Sequence, residues 1–152
     1  MTTPNVAAFL ATIRHSEGTD KSDNPYRVVF GFLHTIADLS DHPALTGEWL
    51  GVQTKYGHTS AAGAYQIERG TWVGCKTQLR LLDFTGPSQD DAAILLIKQK
   101  GGLALLNDGR FADAVAACRN VWASLPGGDS GQPEAKLASL TSFYADAGGS
   151  FA

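Results

Sequence analysis

The sequence predicts an α+β fold, mostly helical, with a small β-region between a first helix and a later run of helices. Three observations carry this reading. Residues 4 to 17 repeat apolar side chains at helical spacing. Residues 24 to 67 break into short apolar runs, YRVVFGFLHTI and GAYQI, among Gly, Pro, Asp and Thr, which predicts two or three short strands and loops. From residue 71 onward helical periodicity returns and holds to the end. With 152 residues and no repeat, low-complexity tract or linker, the chain reads as a single domain, 1–152.

The first helix has a start, a stripe and a stop. Thr3 suits the cap and Pro4 the first helical position, where its missing N–H costs nothing. Val6, Phe9, Leu10 and Ile13 follow at i, i+3, i+4 and i+7, and Gly18 supplies the left-handed stop. Glu17 then falls in the last turn, where the partial negative charge of the carbonyl end disfavours an anion. A chain selected only for stability would place Lys or Arg there. One reading of Glu17 is a surface side chain at a frayed end. The other is a carboxyl delivered to a fixed point, its pKa raised by the helix end and by burial, as a general acid requires.

The later helices are read from TWVGCKTQLRLL, from residue 71; from DAAILLIKQK, with Ser88 as cap, Asp91 three residues on, and Gly101 as the close; and from the short LALLNDG. A further helix places Phe111, Val115, Cys118, Val121 and Trp122 on one face and stops at Pro126 and Gly127. The last opens near Pro133, shows Leu137, Leu140 and Tyr144, and stops at Gly148. Trp72 and Trp122, at helical positions among apolar neighbours, are expected in the core. Gly63 marks a point where backbone approaches a ligand or another strand closely.

Composition bounds the chemistry. Hydrophobic residues make up 43% and charged residues 18%, a globular rather than a disordered balance, and the net charge of −3 argues against nucleic acid as a partner. Cys75 and Cys118 form no C-x-x-C and are expected as free thiols. No signal-peptide pattern opens the chain and no window approaches the ~20 apolar residues of a membrane span. The expected location is therefore a cytoplasm, and a substrate beyond the membrane would need something else to open the way.

Among candidate chemistries, nucleophilic catalysis finds no support, because His15, His34, His42 and His58 sit in no recognisable nucleophile-elbow or cysteine-protease context. A metal site from Asp41, His42 and His58 matches no ligand spacing, so no metal or cofactor is expected. Acid chemistry on a sugar fits best, with Glu17 as acid and the loop-rich region after it supplying Tyr, Gln, Ser and Thr for glycan hydroxyls and N-acetyl amides.

At this point the chain resembles a known family. FLATIRHSEGTD, SDHP, AAGAYQI, LLDF, PSQDDAA, NVWASLPG, GQ and a closing AGG occur, from residue 9 to 149, in the order found in the lambda-type phage endolysins, which are lytic transglycosylases. The resemblance covers nearly the whole chain. It implies a lysozyme-like fold of two lobes with a glycan cleft between them, and cleavage of the β-1,4 bond between N-acetylmuramic acid and N-acetylglucosamine in peptidoglycan. It assigns the glutamate of the SEG motif, here Glu17, as catalytic acid/base, and it implies a 1,6-anhydro product. It also implies dependence on a separate holin for access to the cell wall, host lysis as the outcome, and a monomer that does not insert stably in membranes.

The same resemblance suggests substrate contacts. Tyr65 and Gln66 match the GAYQI motif, and a Gln amide can both donate to and accept from an N-acetyl group. Tyr65, read on an alternating strand, has core as its other reading. Ser60 is a further cleft candidate, with Thr59 behind it. Asp41 in SDHP is read mainly as a structural carboxylate pinning turns around Pro43, with substrate contact as the second reading. Gln132 follows WASLPG in the GQ pair. Ser130 stands where family members commonly carry tyrosine, so the aromatic platform of that loop is missing.

Two rivals stay open. A hydrolytic muramidase needs a second carboxylate ~5–9.5 Å across the bond, and the candidates are Asp20, Asp23, Asp38, Asp41 and Glu48, of which Asp38 and Asp41 fall in the expected cleft lobe. A non-enzymatic cell-wall-binding or virion structural protein would be expected to lose Glu17 or the cleft motifs, and this sequence keeps both.

Overall fold

The computed structural model describes residues 2–127 and 136–152. Its elements belong to two compact units, Met1–Gly18 with Ile94–Ala152, and Thr19–Ala93.

The first unit is helical. Helix α1 spans Pro4–Glu17; Thr3 accepts from the Val6 N–H at 3.2 Å, and Gly18, at φ 80°, turns its own N–H back to the carbonyls of Arg14 and His15. The predicted stripe of Val6, Phe9, Leu10 and Ile13 is buried. In chain order this unit also holds the C-terminal part of α4 (Gly86–Gln99), then α5 (Gly102–Asn107), α6 (Phe111–Cys118) and α7 (Leu137–Asp146). Helix α1 packs on α5 and α7. Aromatic rings fill the contact: Phe111 meets Phe9 edge-on at 6.0 Å and stacks on Tyr144 at 4.3 Å. The chain's end is tied down as well, since Asn5 accepts from the Ser150 N–H and donates to the Leu106 carbonyl.

Two helical boundaries differ from the sequence reading. Helix α6 stops at Cys118, and only turn hydrogen bonds from Val121 and Trp122 back to the Cys118 carbonyl continue it. Asn120 and the β-branched Val121 are weak helix formers, and Trp122 reaches the core through the turn instead. Helix α7 begins at Leu137; Pro133, its expected opening, lies outside the described residues.

The second unit carries the β-region. Strands β1 (Val52–Thr54) and β2 (Gly57–Thr59) pair antiparallel, Val52 opposite Thr59, around a Lys55–Tyr56 turn. These are not the runs that the sequence favoured. YRVVFGFLHTI forms 3₁₀ turns at Pro25–Arg27 and Phe30–Phe32, joined to the rest by single bridges from Val28 to Thr35 and from Val29 to Ala62. GAYQI is a turn closed by an Ala62–Ile67 bridge. Positive φ at Gly31 (65°), Phe32 (57°), Gly63 (82°) and Gln66 (49°) breaks extension inside both runs.

Helix α2 (Pro43–Thr46) is capped by His42, and α3 (Arg69–Leu79) starts two residues before the predicted TWVG. Helix α4 also starts early. Ser88 lies inside its first turn rather than at the cap, where it donates to Asp83 Oδ1, the same oxygen that receives the Thr85 N–H and hydroxyl. Pro87, suited to a first helical turn, was the signal for this earlier start. Trp72, Phe84 and the His42 ring build the core of this unit, Trp72 to Phe84 edge-on at 4.7 Å.

Candidate active site

Glu17 ends α1 against the glycine stop, so its position is set by a helix whose inner face is packed. Burial of the carboxyl raises its pKa from the ordinary 4.5 to about 7, and a hydrogen bond with the Ser124 side chain opposes that rise. The cause is desolvation of the charged form, in a place where the helix carbonyls offer an anion nothing in return. At neutral pH this carboxyl is divided between acid and carboxylate, the condition for a group that gives a proton and takes it back.

Ser124 lies in the WASLPG turn that follows α6. Its Oγ sits 3.0 Å from the Ser16 Oγ, and the Ser16 hydroxyl donates to the Ile13 carbonyl at 3.1 Å. The sequence reading used WASLPG only as a mark of resemblance and did not single out Ser124 or Ser16. Nothing short of the fold brings residue 124 to residue 17.

The other expected site residues lie in the second unit. Tyr65 is a correction: it sits in a turn rather than on a strand, its side chain is 0% exposed, and its hydroxyl donates to Asp90 Oδ1, which also receives the Tyr26 hydroxyl. A fully buried phenol committed to a carboxylate is core and cannot meet a glycan. Ser60 is corrected for the same reason. At 6% exposure, its hydroxyl donates to Glu68 and accepts from the Arg69 N–H. Glu68, which the sequence reading passed over, also takes the Thr59 hydroxyl and the Ser60 N–H, and so ties the end of β2 to the start of α3.

Asp41 takes its structural reading and loses the substrate one. It accepts from its neighbour's His42 N–H, from Trp72 Nε1 at 3.0 Å and from the Lys76 ammonium. Those partners outweigh partial burial and hold its carboxyl below the usual range. His42 is equally committed: Nδ1 accepts from the Ala44 N–H, Nε2–H donates to the Ile67 carbonyl, and burial pushes its pKa down. Among the described residues no group of three or more His, Cys, Asp or Glu is placed to hold a metal ion. Cys75 and Cys118 are free and buried.

Gln66 differs from these. Its amide N–H donates to the Gly63 carbonyl at 2.9 Å, its backbone holds a left-handed φ of 49°, and it is only half-buried. A non-glycine residue kept in that conformation is a strain worth a functional explanation. Gln132, and Ser130 beside it, lie outside the described residues. Gly63 meets the expectation of a close approach, and the group approaching is the Gln89 amide, whose Cδ would lie 2.8 Å from a Cβ at this position.

A mostly helical α+β chain with a near-neutral carboxylic acid at the end of its first helix invites comparison with glycan-cleaving enzymes. Its fold is that of a lysozyme. The lysozyme of bacteriophage lambda, solved in complex with a chitohexasaccharide, matches with a TM-score of 0.90 at 34% identity, over 100% of this chain and 99% of that one. A second structure of lysozyme from bacteriophage lambda matches at 0.86 and 33% identity, with the same coverage. The family model described as Endolysin matches residues 7–151. The endolysin of Escherichia phage P2 is 39% identical, over 95% of this chain and 93% of its own, and that of Escherichia phage lambda 38%, over 93% and 90%. The chain belongs to the endolysin family. Among its described residues no helix is long and apolar enough to cross a membrane.

Proposed function

We propose that this endolysin cleaves the β-1,4 bond between N-acetylmuramic acid and N-acetylglucosamine in peptidoglycan by lytic transglycosylation, with Glu17 as the one acid/base, in a single catalytic domain, 1–152. The observation that carries the reading is the Glu17 carboxyl, lifted to about 7 by burial at the end of α1. In its acid form it protonates the leaving glycosidic oxygen as the bond to the anomeric carbon breaks. In its carboxylate form it takes the proton from the muramic acid 6-hydroxyl, whose oxygen closes on that carbon. One proton leaves Glu17 and one returns, no water is consumed, and the product ends in a 1,6-anhydro sugar. A positioned acid/base supplies ~10²–10⁴-fold in rate, far more than the ~0.3–1 kcal/mol of helix stability lost to an anion at a helix end.

The state of the other carboxylates supports one acid over two. A hydrolytic muramidase would need a second carboxylate as base or nucleophile. Asp41 is already neutralised by Lys76 and bonded to Trp72, and Asp38 accepts from the Ser40 N–H in its own turn. Gln66 is the binding residue retained in this reading, and Gln132 stays with it. The chitohexasaccharide held by the related lambda lysozyme supports a glycan strand as partner, and holin-dependent entry, a monomeric enzyme and action on the cell wall after membrane permeabilisation complete the proposal.

The experiment is mass spectrometry of the soluble muropeptides released from purified peptidoglycan, with Glu17→Gln beside the native protein. Anhydro-muramic ends from the native protein alone are expected. Reducing muramic ends would mean hydrolysis, and products unchanged by Glu17→Gln would remove Glu17 from the mechanism.

A further inference from the structure

A hydroxyl carries one proton, and counting protons along Ser16, Ser124 and Glu17 decides which way their hydrogen bonds run. The Ser16 hydroxyl spends its proton on the Ile13 carbonyl. The contact of 3.0 Å between Ser16 Oγ and Ser124 Oγ then requires the proton of Ser124. Ser124 therefore turns a lone pair toward Glu17, and the hydrogen bond between them is complete only when the Glu17 carboxyl is protonated and donates. The acid form thus heads an unbroken chain, from Glu17 to Ser124 to Ser16 to the Ile13 carbonyl.

Ionisation reverses one link. The Ser124 hydroxyl can rotate to donate to the carboxylate, and Ser16 then loses the bond that it had been accepting. We propose that Ser124, oriented by Ser16, is a positioning residue that holds Glu17 in both halves of the catalytic cycle, accepting from the acid and donating to the base. Rotation of one hydroxyl follows the proton, so the carboxyl keeps its place while its charge changes. Among the described residues Ser124 is the hydrogen-bond partner of Glu17, which leaves this task to no other side chain. The proposal rests on the reading of Glu17 as acid/base.

The two serines have opposite effects on the titration of Glu17. Ser16→Ala removes the acceptor that claims the Ser124 proton, frees that proton for the carboxylate, and lowers the Glu17 pKa. Ser124→Ala removes the donor available to the carboxylate, whose charge-assisted bond is the stronger of the two, and raises it. Each shift is expected at ~0.5–1 pH unit, the size of one hydrogen bond gained or lost by one protonation state. Carbon-13 NMR of side-chain carboxyls, with the Glu17 resonance assigned by its absence in Glu17→Gln, reads both shifts without substrate. The alkaline limb of kcat/KM should move with each, and Ser124→Thr, which keeps the hydroxyl, should restore the native limb.

A Glu17 titration unmoved or raised in Ser16→Ala overturns the proposal, and so does one unmoved or lowered in Ser124→Ala. Ser16, half-buried on a helix, can be truncated without opening a core, so Ser16→Ala decides alone where Ser124→Ala does not fold. If Glu17→Gln kept transglycosylase activity, the function proposed above would fall while the titrations still reported on the serine pair, so the two failures are distinguishable.

Discussion

Gln89 occupies the space that a side chain at Gly63 would need. Its amide oxygen accepts from the Ala64 N–H at 2.9 Å, and its amide nitrogen donates to the carbonyls of Phe84 and Tyr26, at 2.7 and 2.9 Å. One buried side chain thus joins three backbone segments of the second unit, and Gly63, at φ 82°, passes close enough to allow it. Gly63→Ala would force both a strained backbone and displacement of that amide. The expected loss is ~2–4 kcal/mol of unfolding free energy, from the left-handed strain plus at least one orphaned buried donor. Urea denaturation checks it, and a loss under ~1 kcal/mol would mean that Gln89 is not the strut described.

Tyr65 separates core from site by a simple measurement. Tyr65→Phe removes one of the two phenols that bond Asp90 while keeping the ring and its edge-on contact with Tyr26 at 6.5 Å. A hydrogen bond to a charged group is worth ~1.5–3 kcal/mol, so stability should fall by about that amount. KM for soluble glycan fragments should stay native when assayed well below the melting temperature. A raised KM with unchanged stability would return Tyr65 to the substrate.

These corrections show which parts of the molecule the sequence could display. Helix α1 was legible from end to end because cap, stripe and stop are local: Thr3, Pro4, the Val6 to Ile13 spacing and Gly18 need no tertiary partner. Glu17 was legible for the same reason, as a residue at odds with its helix end. The β-region was legible in place but not in detail, since single positive-φ residues such as Phe32 and Gln66 decide whether a β-branched run extends. Whether Ser60 or Tyr65 faces solvent depends on Glu68 and Asp90, and only the first of these is near its partner in sequence. Ser124, 107 positions beyond Glu17 by subtraction of their numbers, could be reached only through the fold.

Glu48 pins the loop that precedes α2. Its carboxylate accepts from the N–H groups of Ala37 and Asp38, at 2.7 and 2.8 Å, and from His34 Nε2. These bonds, the one to the Ala37 N–H first, hold its pKa down to about 2 against an ordinary 4.5. The pKa is depressed by folding, so this anchor is fully present above pH 4.5 and is lost as pH falls toward 2. Glu48→Ala should therefore strip the amides of Ala37 and Asp38 of hydrogen-exchange protection at pH 6, and acid should do the same to the native protein. Protection factors unchanged in Glu48→Ala would show that the loop is held by something else.

Glu17 should cost the protein stability in return for its chemistry, and the sign can be worked out. Its folded pKa of about 7 lies above the ordinary 4.5, so the native state binds more protons than the unfolded chain between those values. Stability is then fully kept below pH 4.5, falls as pH rises through that window, and reaches its full penalty above 7. A gap of roughly two and a half units at ~1.36 kcal/mol each gives ~3 kcal/mol. Glu17→Gln, which cannot ionise, should match the native protein at pH 4 and exceed it by ~2–3 kcal/mol at pH 8.5, while losing transglycosylase activity at both. Guanidinium denaturation at the two values reads the difference. Equal stabilities at pH 8.5 would mean that the carboxyl is not desolvated, and would take away the physical reason for an acid at this helix end.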